Sequence, residues 1–147
     1  MDSKQEVDLF ADLCSSDERL TDVEGQFVSD DSTPMLTAIK ITFEPTIVIL
    51  VAQDDDSIKV LTDGALVDLP HSKVRKLLHT PAWEKAALRP LLWVWKMVNQ
   101  QGYFDGLQFD FANSAEEAVS RVQLLVVGSE FKVAAWPIDQ ASTAFAP

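Results

Sequence analysis

The chain has 147 residues, 47% hydrophobic and 24% charged, which suits one domain with its own core and argues against wholesale disorder. Its single cysteine, Cys14, excludes an internal disulfide framework and agrees with a reducing compartment. A net charge of −11 disfavours nucleic acid and anionic membrane as partners, because a negative field repels both.

That charge is unevenly spread. Residues 1–33 hold ten acids against two bases, a net −8, while residues 71–98 hold six bases against Glu84 alone, a net +5. Either the acidic region folds back near the basic one or it faces a basic partner. Met1 to Glu6 lacks a basic run followed by an apolar one, so no signal peptide is expected. The longest apolar runs, about six residues, fall far short of a membrane span. A cytoplasmic protein is expected.

Residues 1–16 read as a short acidic amphipathic helix. Ser3 and Glu6 fit a capping box, and Val7, Phe10 and Leu13/Cys14 recur at helical spacing. From Thr21 the period becomes two. Val23, Gly25 and Phe27 alternate with polar residues, and after the turn at Ser29–Pro34 a strand runs from Met35 to Phe43, with Thr37, Ile39, Ile41 and Phe43 on one side. Ile47–Val51 is apolar on both faces, as a central strand is, and Asp54-Asp55-Asp56 turns the chain into a fourth strand ending near Thr62.

Leu66–Leu69 suggests a short edge strand, and Val74–Leu78 one or two helical turns. Thr80-Pro81 reads as a helix start, a threonine cap with proline at the first helical position, and Pro90 predicts a kink or restart near Arg89. Leu91, Leu92, Trp95 and Val98 then share one helical face, with Trp93 pointing away from its centre. Gly102 suits the left-handed position after such a helix. Leu107, Phe109 and Phe111 alternate as a half-buried strand, and residues 121–127 and 130–136 form a hairpin about Gly128-Ser129, closed by Pro137. Residues 138–147 read as a loosely held tail.

The strand meander with Asp54-Asp55-Asp56 at a hairpin, the tryptophan-rich helix ending Asn99-Gln100-Gln101-Gly102-Tyr103, and the following Asp105-Gly106-Leu107-Gln108-Phe109 resemble a family of small bacterial domains of unknown function. The resemblance covers residues 20–136 and implies no activity, ligand or catalytic residue.

Chemistry-bearing residues are sparse. His71 and His79 match no zinc spacing, and no second cysteine completes one. Cys14 falls on an apolar helix face, where an inert thiol is the common case. Asp54-Asp55-Asp56 departs from a calcium loop, with Lys59 at the sixth position and Ala65 at the twelfth. No phosphate loop, dinucleotide turn or nucleophile elbow is present. No cofactor and no metal site is expected.

These readings combine into an α+β fold: a curved antiparallel sheet, meander plus C-terminal strands, packed on a central apolar helix within a single domain spanning 1–147. The expected function is that of a non-enzymatic, acidic protein-interaction module of immunity, inhibitor or regulatory type. Asp12, Asp17 and Glu18 would steer a basic partner. Trp93 and Trp136 offer surplus apolar surface for a partner or a second copy. The alternative is a ligand-binding or enzymatic pocket between sheet and helix near Tyr103, Asp105 and His79.

Overall fold

A computed structural model describes residues 1–29, 33–117 and 119–138. Among them one helix, α1 (Ser3–Ser15), precedes nine strands: β1 (Asp22–Val28), β2 (Met35–Thr42), β3 (Ile47–Ala52), β4 (Ile58–Leu61), β5 (Ser72–Lys76), β6 (Leu91–Val98), β7 (Phe104–Phe111), β8 (Val119–Val127) and β9 (Glu130–Ile138). All pairings are antiparallel, in two sheets ordered β4-β3-β2-β1-β5 and β6-β7-β8-β9. The two sheets approach each other at β2 and β9 and at β4 and β7, and α1 lies against β6. The architecture is α+β in the broad sense and mostly β.

The first sheet follows its sequence period. Val23, Ile39, Ile41, Val48, Leu50, Ile58 and Val60 are buried in the core, while Asp22, Glu24, Lys40 and Thr42 sit in partly exposed register across β1 and β2. The register shifts beside Gln26 and Phe27, where Thr37 is left without a partner residue and its hydroxyl donates to the Gln26 carbonyl. Such a bulge reverses the alternation locally, so Leu36 rather than Thr37 is buried.

The expected central helix is absent; its residues form β6, paired with β7 from Leu91↔Phe111 to Val98↔Phe104. Only eight residues separate Pro90 from Asn99, too few for a stable helix and right for a strand. The aromatic and β-branched content of Trp93, Val94 and Trp95 favours the extended state. Asn99 closes the hairpin: its side-chain oxygen accepts from the amides of Gln101 and Tyr103, and Gly102 takes a positive φ of 88°.

Five smaller expectations also change. The Thr80-Pro81 start yields consecutive turns, not a helix; Leu88 has a φ of 63° and Pro90 stands two residues on. Residues 65–69 form no strand beyond an isolated bridge from Leu69 to Ser72, and the expected helical turns at 74–78 give way to β5 and its exit, with β5 on the first sheet's edge. Asp2, not Ser3, caps α1, in a reciprocal box with Gln5, which releases Glu6 for another role. Pro137 lies within β9 opposite Ser120, tolerated because β9 is an edge strand.

The second sheet brings Leu107, Phe109, Phe111, Val122, Leu124, Val126 and Phe131 into the core. Phe10 of α1 joins them, its ring edge-on to Phe109 at 6.1 Å between centroids. Trp83 stands edge-on to Phe111 at 6.4 Å, so the irregular 80–88 segment contributes one of the largest buried side chains.

Candidate functional site

Among the described residues four strands lie at sheet edges: β4, β5, β6 and β9. An edge offers unpaired amide and carbonyl groups to any passing strand, and proteins commonly blunt it with charge or proline. β5 carries Lys73, Arg75 and Lys76, β4 carries Lys59, and β9 carries Glu130, Lys132 and Pro137. β6 has only Lys96, and that side chain is engaged elsewhere. Its Nζ donates to Glu6 Oε1 at 2.7 Å and Ser3 Oγ at 3.0 Å, and lies 4.5 Å from the Phe104 ring centre. Glu6 is 6% exposed, so this pair ties the start of α1 to β6 from within.

With Lys96 so occupied, β6 shows solvent two tryptophans. Trp93 is 46% and Trp95 43% exposed, with ring centroids 6.1 Å apart. The Arg121 guanidinium stands 5.5 Å from the Trp95 ring, a cation–π distance. It is held there by two charge-assisted hydrogen bonds to Asp110, at 2.7 and 2.8 Å, and Asp110 is itself 1% exposed. The carboxylate beside it raises the Arg121 pKa further, so the cation is permanent.

Between β6 and α1 runs a groove of about 290 Å³, lined by Val7, Phe10, Ala11 and Cys14 from the helix and Leu92, Trp93, Val94 and Lys96 from the strand. The helix residues are spaced i, i+3, i+4 and i+7, a single stripe. Burial pushes the Cys14 thiol pKa up, as an apolar wall does to a group that would ionise. Asp8 and Asp12 are exposed on α1, one turn apart. The volume falls just under the roughly 300–1,000 Å³ of small-molecule sites, and suits an anchoring side chain better than a cofactor.

The expected site residues do not converge. Tyr103 is exposed in the β6–β7 turn, and Asp105 accepts a hydrogen bond from Asn99 Nδ2 at 3.2 Å, a turn-stabilising role. His79 lines a separate depression of about 540 Å³ with Asp22, Lys40, Glu44 and Lys76, which contains neither Tyr103 nor Asp105. Asp12 and Asp17 are exposed, but Glu18 is committed, accepting from the amide and hydroxyl of Thr46. Trp136 pairs through its backbone with Arg121; its side chain, like the tail from residue 139, lies outside the described residues. In the 54–56 turn, Asp55 accepts from Ser57, and Asp56 accepts from the Ser129 amide at 2.7 Å, locking the β3–β4 hairpin to the β8–β9 hairpin.

Several acids of the N-terminal region meet bases of the 71–98 region: Glu6 with Lys96, Asp22 with Lys76 at 2.8 Å, and Glu24 with Lys76 at 3.4 Å. Residues that sequence reasoning passed over are Trp95, Val7 and Asp8. The helical reading of 91–98 had put Trp95 on a buried face, whereas a strand turns Trp93 and Trp95 to the same side.

A sequence profile of a family of unknown function, DUF6334, matches residues 4–137. The chain belongs to this family. The match to DUF6334 takes in α1 from Lys4 onward and the strands through Pro137, so both walls of the groove lie within the family's domain, a wider span than the 20–136 of the resemblance. No curated protein and no solved structure matches the chain. Among the described residues no helix is long and apolar enough to cross a membrane.

Proposed function

We propose that this domain is a protein-interaction module whose partner seats on β6, in the α1–β6 groove and over Trp93 and Trp95. The observation that supports it most is the contrast among edges: β4, β5 and β9 carry charge or proline, while β6 presents two neighbouring tryptophans and an apolar groove. Exposed tryptophan is costly to leave in water and is enriched at the centres of protein interfaces. The groove is built to persist, since Lys96–Glu6 and the Phe10–Phe109 contact fix its helical wall. A cytoplasmic setting goes with this reading, because Cys14 lines the groove as a thiol.

Site-specific photo-crosslinking in cells tests it. A photoreactive residue at position 95 should yield a discrete covalent adduct, and one at the still more exposed Val127, on the far hairpin, should not. Equal yields from both positions, or none from 95, would refute the reading.

A further inference from the structure

We infer that the occupant of the groove is an extended segment of another protein, bearing lysine or arginine at alternate positions, that pairs with the edge of β6 that no strand covers among the described residues. This rests on the reading above and adds the partner's conformation and charge. Three observations carry it.

The first is the edge itself. Register shifts fall between Leu91 and Trp93 and between Met97 and Val98, so Trp93–Met97 forms an uninterrupted ladder with β7. The same five residues therefore offer a regular row of donors and acceptors on their other side, the requirement for strand addition. The groove wall is made by consecutive residues, Leu92, Trp93 and Val94, as a strand's edge makes one.

The second is the direction of α1. Its start bonds to Lys96, and the chain after it bridges from Arg19 to Pro90, so the helix runs beside β6 in the opposite sense. Asp8 and Asp12 are then spaced by about 6 Å along α1, four residues of helical rise, on the outward side of the helix above the groove and not in its lining. Alternate residues of a strand repeat at about 6.6 Å, a near match. The chain's −11 charge and these two acids, which have no hydrogen-bond or ion-pair partner among the described residues, favour a cationic segment. The third is the indole pair, whose faces attract cations as Trp95 already attracts Arg121. A second copy of this chain fits poorly, because it would bring Asp8 and Asp12 of both copies together.

The test is selection of random peptides of about twelve residues displayed on phage against the full chain. Selected peptides are expected to be rich in lysine or arginine with β-branched neighbours. N-methylation of alternate amides in the best of them should weaken binding at least tenfold, Asp8→Asn with Asp12→Asn several-fold, and Trp95→Ala at least tenfold, each variant retaining the wild-type circular dichroism. Acidic or unselected sequences would overturn the charge argument, and unchanged affinity after N-methylation would overturn strand pairing. Failure to select any peptide whose binding depends on Trp95, or self-association abolished by Trp95→Ala, would overturn the inference outright. If position 95 still crosslinks a partner while these peptide results fail, the interaction module stands and only its extended, basic occupant falls.

Discussion

At the scale of single residues, the pair beneath the tryptophans is the most exacting. Asp110 is fully buried on a strand whose neighbours at Phe109 and Phe111 are core aromatics, and its ionised state is matched by the two-pronged contact from Arg121. Asp110→Ala should cost about 1–3 kcal/mol in urea unfolding, below the roughly 3–5 kcal/mol of a fully buried ion pair because the Arg121 side chain is 26% exposed. Arg121 would also lose its seat over Trp95, so the indole emission of Asp110→Ala should shift. Cys14 supplies a second prediction. Burial raises its pKa, so the folded thiol keeps its proton to higher pH than the unfolded one, and stability declines as pH rises through the free-thiol value. Alkylation by iodoacetamide should accelerate only above the pH at which a free thiol reacts, and a peptide in the groove should slow it further; a free-thiol profile would show that Cys14 is not walled in.

At the scale of elements, α1 is a wall as well as an N-terminal segment. Phe10 is its anchor, 5% exposed and packed on Phe109. Phe10→Ala should cost about 3–5 kcal/mol by chemical denaturation and open the groove, weakening any partner that Trp95→Ala also weakens. Strands β1 and β2 of the first sheet were legible because their alternation has one wet face, Val23, Ile39 and Ile41 against Asp22, Glu24 and Lys40, whereas β5 was read as helical turns. The hairpin at Gly128-Ser129 was legible because both residues take positive φ, 63° each, a need that glycine meets and that serine tolerates at a cost. β6 was not legible, for a related reason. Its solvent side carries Trp93 and Trp95, so no polar residue marks the period, and a strand with two apolar sides resembles a helix. That misreading follows from the same exposed aromatics that now define the candidate site. The capping box shifted by one residue because Asp2 and Gln5 compete on equal terms with Ser3 and Glu6, and only Lys96, 90 positions away, decides for Glu6 to face inward.

At the scale of the whole molecule, the charge map divides into work done inside and field left outside. Glu6, Glu18, Asp22 and Glu24 are taken up by Lys96, Thr46, Lys76 and Lys40, pairings invisible in a sequence where partners lie tens of residues apart. What remains outward on α1 is Asp8 and Asp12. A groove partner drawn by them should bind more weakly as salt rises from about 0.05 to 0.5 M, since the screening length falls from beyond 10 Å to a few ångströms. Asp8→Asn with Asp12→Asn should flatten that dependence, and an unchanged slope would show that the acids play no part.

The most direct measurement is residue-resolved amide hydrogen exchange with and without a saturating selected peptide. Outward amides of β6 between Trp93 and Met97 should slow at least tenfold on binding, while amides of the charged edges β4 and β5 keep their rates. Unchanged exchange in β6, or protection that falls instead on β4 or β5, would contradict the assignment of β6 as the binding edge.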